Sequence, residues 1–138
     1  MLAHRHEAEI AQGLGDPRSE KFELSFVPHV IPCSRGIYST VHIFLEQELK
    51  QEDAYSLFKE FYKDSPFVRI KETPPMLNTL IGSNFCDISV VTRGKNIVCI
   101  AALDNLIKGM CGTALQNMNL MCGLEETEGL LFPGLSAI

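Results

Sequence analysis

Long apolar runs and a basic stripe are both missing from this 138-residue sequence. The longest apolar stretch, Ile97 to Leu103, is far shorter than the roughly 20 residues that a membrane-spanning helix needs. The 12 Lys and Arg residues are scattered and are outnumbered by 17 Asp and Glu, which gives a net charge of −5. Nucleic acids and anionic lipids need clustered positive charge, so we expect neither partner. No charged-then-apolar leader opens the sequence, and we expect a cytoplasmic protein.

The five cysteines lack the C-x-x-C spacing of zinc and redox sites. Cys33, Cys86, Cys99, Cys111 and Cys122 lie mostly within apolar runs. Free cysteine is among the residue types most often buried, so we expect reduced, buried thiols. None has a neighbour in sequence that would activate it, and we expect no catalytic nucleophile among them.

A dinucleotide-binding loop is missing too. Gly13-Leu14-Gly15 is the only local G-x-G, but Pro17 follows it, and neither a third glycine nor a preceding strand is present. The Rossmann fingerprint requires both of these features. The composition, 46% hydrophobic and 21% charged, is nevertheless that of one ordinary globular domain.

Apolar periodicity predicts the order of helices and strands. Acidic residues open a short helix that runs to about Leu14, and Asp16-Pro17 ends it. The later elements are strands at 22–26, 37–45, 67–70, 84–92 and 97–103, a helix from 51 that ends before Pro66, and a long helix over 104–123. Arg93-Gly94-Lys95 predicts a tight reversal. This order predicts an α+β domain with a mixed, mainly antiparallel sheet and helices packed on it.

Two of these elements carry apolar surface that calls for a partner. The strand at 37–45 is apolar or aromatic on both faces, so it is either covered on both sides or packs against another subunit. We therefore expect a homo-oligomer. The long helix carries an apolar stripe that includes Met118 and Met121, and Gly109 and Gly112 lie inside it. Each glycine costs roughly 1 kcal/mol relative to Ala, which indicates close approach of another backbone or a ligand.

Three motifs span the chain. They are HRHEAEI at 4–10, VPHVIPCSRGI at 27–37, and the segment 104–124 that begins DNLIKG. Shorter motifs at 66–69 and 84–88 lie between them. In this order the motifs resemble the N-acetyl-γ-glutamyl-phosphate reductase family over essentially the whole chain.

The resemblance implies a fold like the C-terminal domain of glyceraldehyde-3-phosphate dehydrogenase. It implies, for the intact protein, NADPH-dependent reductive dephosphorylation of N-acetyl-γ-glutamyl phosphate to N-acetylglutamate semialdehyde in arginine biosynthesis. In such enzymes a cysteine attacks the acyl phosphate, the thioester accepts hydride, and a histidine handles the protons. The cysteine and the Rossmann domain, which binds most of the NADP, lie N-terminal to the region resembled here. We therefore expect this chain alone to be inactive. We expect residues 1–103 to form a substrate and oligomerisation domain, and 104–138 to return to the missing domain.

The motif His4-Arg5-His6 supplies the candidate catalytic residues, His6 and His4. We assign proton transfer to His6, because Glu9 lies three residues further on, where a helical turn brings a carboxylate near. His4 then positions the substrate, and Arg5 is a candidate substrate-binding residue. Without the resemblance, a frayed terminus is the simpler interpretation. We expect no metal, since no third ligand has recognisable spacing with the two histidines.

Three further residues are candidates for binding. Arg35, in a loop between strands, is placed to clamp a carboxylate or phosphate of the substrate by a bidentate contact, and a surface arginine is an equal alternative. The resemblance places Asn105 and Lys108 at the nicotinamide side of the cofactor, where a helix N-terminus favours polar or anionic groups. For Asn105 a helix cap is the alternative. We interpret His29 as a packed, hydrogen-bonded residue and His42 as structural or interfacial.

A different class of function stays open at this point. A non-catalytic oligomerisation module derived from the same fold would keep the apolar strand at 37–45 and lose the chemistry. A stand-alone metal protein that uses His4 and His6 is a third possibility, and it predicts stoichiometric metal in purified protein.

Overall fold

The computed structural model describes residues 4–15 and 24–135, apart from the side chain of Arg5. The chain divides into two compact units, Met1–Cys33 and Ser34–Ile138. The first unit contains helix α1 (Arg5–Leu14), which confirms the predicted helix end at Leu14. The strand predicted at 22–26 is not confirmed, because residues 24–26 form no strand and residues 22 and 23 lie outside the described ranges.

The second unit is built on a four-stranded sheet. Its strands are β1 (Ile37–Phe44), β2 (Val68–Lys71), β3 (Cys86–Arg93) and β4 (Asn96–Leu103), in the spatial order β1-β4-β3-β2. Strand β4 pairs antiparallel with β1 and β3, whereas β2 runs parallel to β3. The sheet is mixed and mainly antiparallel, which confirms the predicted α+β class. The almost wholly apolar β4 lies inside the sheet, as its sequence predicts.

A tight hairpin joins β3 to β4. Arg93 pairs with Asn96, so the loop between them is Gly94-Lys95. Gly94 has a φ of +61°, which glycine adopts without steric cost at the first position of such a loop. The reversal predicted at 93–95 is therefore confirmed, and its register places Val90 opposite Cys99.

Helix α2 (Gln51–Phe61) covers one face of this sheet. Ala54 on the helix is buried against Val90 and Ile97, which lie on β3 and β4. The side chain of Gln51 joins the start of the helix to β3, because its Nε2 donates to the carbonyl of Val90 at 2.8 Å and its Oε1 accepts from the backbone N–H of Thr92 at 2.9 Å. These two bonds fix the helix along the strand.

The buried side of α2 differs in part from the apolar stripe that helical spacing predicts, which consists of Ala54, Leu57, Phe58, Phe61 and Tyr62. Leu57 and Phe61 belong to that stripe, yet they are 61% and 76% exposed. The helix packs instead through Ala54, Tyr55 and Phe58, which contact the core beside the sheet. Periodicity identified the helix, but the side on which the sheet lies was decided by the tertiary packing.

The last helix departs from its predicted form at its beginning. A π-helix (Ile107–Cys111) precedes the regular helix α3 (Gly112–Met121). The wider turn starts early, since the N–H of Gly109 donates to the carbonyl of Asp104 five residues back at 2.9 Å. The prediction of one regular helix over 104–123 is therefore wrong in its first turns. Its end is confirmed, because Gly123 has a φ of +70° at the C-terminal cap.

The apolar stripe of α3 faces outward in this structure. Met118 and Met121 are 47% and 86% exposed, whereas the buried residues of the helix are Gly112 and Asn119. The Nδ2 of Asn119 donates to the carbonyl oxygens of two residues in the segment 126–128, the nearer at 2.9 Å. The polar side of α3 thus holds the C-terminal segment, and the apolar side stays open.

Burial of the cysteines is mispredicted at three positions. Cys33, Cys111 and Cys122 are exposed, and only Cys86 is fully buried, with Cys99 half-buried. Burial raises the pKa of Cys86, and two nearby charges have smaller effects: Lys108 lowers this pKa and Asp87 raises it. Burial alone raises the pKa of Cys99.

In residues 4–15 and 24–135, no helix is both long and apolar enough to span a bilayer.

Candidate active site

Asp104 joins three segments of the second unit at one buried carboxylate. Its side chain is 0% exposed. Oδ1 accepts from the backbone N–H groups of Leu106 at 2.8 Å and Ile107 at 3.1 Å, which caps the chain at the start of the π-helix. Oδ2 accepts from the N–H of Gly82 at 2.5 Å and lies 3.2 Å from Nε of Arg35. One carboxylate therefore holds the loop around 35, the loop around 82 and the helix start together.

The ionised form of Asp104 is the form that these contacts favour. Burial by itself raises the pKa of this carboxyl. The hydrogen bonds from Gly82, Leu106 and Ile107 and the charge of Arg35 lower it by more, so the pKa of Asp104 lies below its ordinary value. Asp104 is a charged anchor at neutral pH.

Asn105 makes a second connection between the loop around 35 and the start of the π-helix. Its Oδ1 accepts from the backbone N–H of Gly36 at 2.6 Å. Gly36 has a φ of +120°, and a Cβ at this position would overlap the side chain of Leu77. The structure therefore brings together two residues that the sequence analysis named separately, Arg35 and Asn105. The Oδ1 of Asn105 holds the loop; contact with a cofactor stays a prediction.

Lys108 lies in a polar network that the sequence analysis missed. Its Nζ donates to Oε1 of Gln116 at 2.9 Å and lies 5.4 Å from the centre of the Phe67 ring. Gln116 also accepts from Nδ2 of Asn84 at 3.1 Å and donates to Oε1 of Glu126 at 2.6 Å. The only sequence signal for this network is the polar residues inside an apolar helical pattern.

The surroundings of Lys108 shift the pKa of its ammonium group. Burial lowers the pKa of this ammonium, and the nearby Cys86 and Glu126 oppose that effect. These contacts tie Lys108 to the interior of the second unit. Its assignment to cofactor binding stays a prediction.

The two candidate catalytic histidines lie at the start of α1 in the first unit. His4 caps the helix, because its Nδ1 accepts from the backbone N–H of His6 at 3.3 Å. The backbone N–H is the donor in this contact, so Nδ1 of His4 is the acceptor. The two rings meet edge to face at 4.7 Å, and Phe26 packs on His4 at 5.6 Å. Proton transfer was assigned to His6 because Glu9 was expected to pair with it. In the described ranges no hydrogen bond joins these two residues.

The other histidines lie elsewhere. His29 is exposed, so its predicted packing is wrong, although its Nδ1 lies 3.0 Å from the carbonyl oxygen of Val27. His42 is exposed on β1. Within the part of the chain that the structure describes, no group of three or more His, Cys, Asp or Glu side chains is placed to hold a metal ion. Arg5 is placed at the start of α1, and its side chain lies outside the description.

We expect the anchor at Asp104 to appear in the acid stability of the protein. Because the pKa of Asp104 is lower when folded, its contribution is complete above about pH 4 and is lost as the pH falls through the folded-state pKa. Asp104→Asn should lower the free energy of unfolding at pH 7 by roughly 1–3 kcal/mol and flatten its decline in acid. Urea unfolding at a series of pH values measures both effects. Asp53→Asn, at an exposed position, is the control, and an equal decline in both variants would contradict the prediction.

Comparison with known proteins gives the family. Residues 1–105 match the sequence model of the family described as "Semialdehyde dehydrogenase, dimerisation domain". The chain belongs to this dimerisation-domain family. The match covers α1, the whole sheet and Asp104-Asn105, so the connected loops described above are part of the family's domain.

Named relatives of this dimerisation domain share one description. "N-acetyl-gamma-glutamyl-phosphate reductase" from Methanoregula boonei is 50% identical over 96% of this chain, that from Archaeoglobus fulgidus is 49% identical over 98%, and that from Methanosarcina barkeri is 47% identical over 96%. The resemblance identified from the three motifs is confirmed. The chain spans about two fifths of the length of these relatives, 40% in each case.

Proposed function

We propose that this chain is the C-terminal portion of an N-acetyl-γ-glutamyl-phosphate reductase. The observation that carries the proposal is the 44–50% identity to reductases of that name over nearly the whole chain. The reaction is NADPH-dependent reduction of the acyl phosphate to N-acetylglutamate semialdehyde, a cytoplasmic step of arginine biosynthesis. The nucleophilic cysteine and most of the NADP site belong to the part of the enzyme that this chain does not match, so the chain alone is inactive.

Each candidate residue of the chain has its own role in the intact enzyme. His6 transfers the proton, with His4 beside it at the start of α1. Arg35 binds the anionic substrate, and its side chain is 27% exposed beside the buried Asp104, which supports a partly accessible, oriented guanidinium. Arg5 is a second substrate-binding residue. Asn105 and Lys108 face the nicotinamide side of NADP, a role that the resemblance to the reductases supports.

The last helix and tail pack on the missing domain in this proposal. Residues 104–138 then form a connection, and residues 1–103 form the substrate and oligomerisation domain. Exposed apolar side chains on and before α3 support it, since Met110, Met118 and Met121 are 59%, 47% and 86% exposed. Apolar surface of this kind is normally covered.

The test compares the chain alone with a full-length hybrid. The hybrid joins this chain to the N-terminal part of the Methanoregula boonei relative, which the chain does not match. Formation of NADPH from N-acetylglutamate semialdehyde, NADP and phosphate is measured for both, with the native relative as reference. We expect activity in the hybrid and none in the chain alone. Activity of the chain alone would refute the absence of the nucleophile, and an inactive but folded hybrid would refute the proposed function.

A homo-oligomer is part of the proposal. The family description and the open face of the sheet support it. On the face opposite α2, Tyr38 and Phe44 of β1 and Val91 of β3 are 44%, 80% and 47% exposed, and Val98 of β4 lies between the two strands. These side chains point the same way. Val98 pairs with Val91 on one side and with His42 on the other, and paired residues share a face of the sheet. Phe44 lies two residues after His42 and therefore shares that face.

We expect Val91→Asp to dissociate this oligomer. A charge at the centre of a buried apolar interface remains unpaired and is costly to desolvate. Sedimentation of the wild-type chain at tens of micromolar should give a dimer or larger, and the variant should sediment as a monomer with an unchanged circular dichroism spectrum. Leu57→Asp, at an exposed apolar position on α2, is the matched control. A monomeric wild type, or dissociation by Leu57→Asp alone, would contradict the assignment of this face.

The second candidate function is an oligomerisation module without chemistry. The open sheet face favours it independently of the reductase residues. It predicts a stable oligomer and an inactive hybrid, whereas the reductase proposal predicts an active one. The same hybrid assay therefore separates the two.

A further inference from the structure

We propose that Asp104 is the positioning residue for Arg35, and that it orients the guanidinium group to receive an anionic group of the substrate. The inference rests on the proposed function, in which Arg35 binds the acyl-phosphate substrate. It adds a specific requirement: the direction of the Arg35 fork, and not its charge alone, is what the site uses.

The contact between the two side chains selects which nitrogens are left for the substrate. Nε of Arg35 is the atom that lies 3.2 Å from Oδ2 of Asp104. A guanidinium group is a rigid planar fork whose two terminal nitrogens can bind a carboxylate or phosphate in bidentate fashion. The ion pair places the Nε edge of Arg35 at the buried carboxylate. The terminal nitrogens are then restricted in direction, so less conformational entropy is lost when an anion binds.

The carboxylate itself cannot turn without breaking other bonds. Both oxygens of Asp104 are occupied by backbone donors, at Leu106 and Ile107 on one side and at Gly82 on the other. The side chain is 0% exposed. An asparagine at this position would have to point its NH₂ group at donors on one of the two sides, so it cannot reproduce the arrangement.

The backbone beside Arg35 is held by the neighbouring residue. Asn105 accepts from the N–H of Gly36 at 2.6 Å. Gly36 follows Arg35 in sequence, and Asn105 follows Asp104. Both the side chain and the adjacent peptide of Arg35 are therefore tied to the same helix start. Two parallel connections of this kind restrict the loop more than an isolated ion pair would, as a pre-oriented binding residue requires.

Steady-state kinetics of the full-length hybrid test this. Asp104→Asn should raise the KM for the acyl phosphate roughly ten- to a hundredfold, the effect of one hydrogen bond to a charged group, with a smaller change in kcat. Arg35→Gln should do the same. Because Asp104 acts through Arg35, the double variant should have the KM of Arg35→Gln alone.

A second arginine–aspartate pair in the same domain gives the matched control. Nε of Arg69 lies 2.5 Å from Oδ1 of Asp87, which is also buried, on strands β2 and β3. Asp87→Asn removes a comparable ion pair, so it should lower stability and leave the KM unchanged. A purely structural role for Asp104 predicts that the two aspartate variants behave alike.

The outcomes separate this inference from the proposed function. If Arg35→Gln leaves the KM unchanged, Arg35 does not bind substrate and that part of the proposed function fails. If Arg35→Gln raises the KM but Asp104→Asn does not, or if the two effects multiply in the double variant, only the positioning role is overturned. Where Asp104→Asn yields too little folded enzyme, Arg35→Lys carries the test. Lysine keeps the charge but has no fork, so its KM should equal that of Arg35→Gln, and a wild-type KM would overturn the inference.

Discussion

Replacing His6 with asparagine in the full-length hybrid is expected to lower kcat by roughly 10²–10⁴-fold, the usual contribution of a general acid or base. The expected loss follows from the proposed proton transfer to the tetrahedral intermediate as hydride arrives. The structure gives the two histidines different surroundings. The Nδ1 of His4 is engaged as the cap of α1, and the proposal gives His4 the role of positioning the substrate. Asparagine keeps polarity and approximate size but cannot exchange a proton at neutral pH.

Three variants define the assignment. His4→Asn should mainly raise the KM, and Glu9→Gln should have a smaller effect than His6→Asn, since no hydrogen bond joins Glu9 to His6 in the described ranges. His29→Asn, at an exposed histidine outside the proposed site, should retain wild-type kinetics. If His6→Asn keeps more than about a tenth of kcat while His4→Asn abolishes it, the roles within the pair are reversed. Full activity in both variants would make the motif structural.

Gly112→Ala is expected to destabilise the domain by about 2–3 kcal/mol, although alanine is ordinarily the better helix former. A Cβ at Gly112 would overlap Oδ1 of Asn84 and lie 2.9 Å from the carbonyl oxygen of Ile107. Asn84 is fully buried, and its Nδ2 is bonded to Gln116, so the side chain cannot move aside cheaply. Urea or thermal unfolding of the chain measures the change.

Gly109→Ala is the matched control, three residues earlier in the same segment. A Cβ there would meet the carbonyl oxygen of Asp104 and a methyl group of Leu103 at 3.5 Å, which is ordinary contact. We expect Gly109→Ala to be neutral or stabilising by up to about 1 kcal/mol. Equal effects of the two substitutions would contradict the account of why Gly112 is glycine.

Both glycines illustrate how far sequence reasoning reached. Their position inside a helical pattern indicated a close approach at each. The structure places such an approach at Gly112, where Asn84 packs against the helix, and leaves ordinary space at Gly109. The pattern reports that a residue is unusual for its element, but the neighbour that explains it comes from a distant part of the chain.

The apolar stripe on the last helix shows the same limit. The helical spacing of its apolar residues predicted α3, because that spacing follows from the local geometry of the helix. The stripe was expected to need a covering surface, and in the described residues it stays exposed at Met118 and Met121. The inward side of α3 includes the half-buried Gln116 and the buried Asn119, which both form hydrogen bonds. Side-chain chemistry alone does not tell whether a polar residue on a helix faces water or an interior network.

The sequence by itself determined the α+β class, the β3–β4 hairpin, the central place of β4, the presence of α2 and α3 and the resemblance that the relatives confirm. These follow from local periodicity, turn chemistry and motifs that are read along the chain. Only the tertiary structure decided that Asp104 joins Arg35 to the start of the last helix, that Asn105 holds Gly36, and that Lys108 is tied to Gln116. The bond between Gly36 and Asn105 spans 69 residues. Such contacts depend on which loops meet when strands β1 and β4 pair, and no local pattern carries that information.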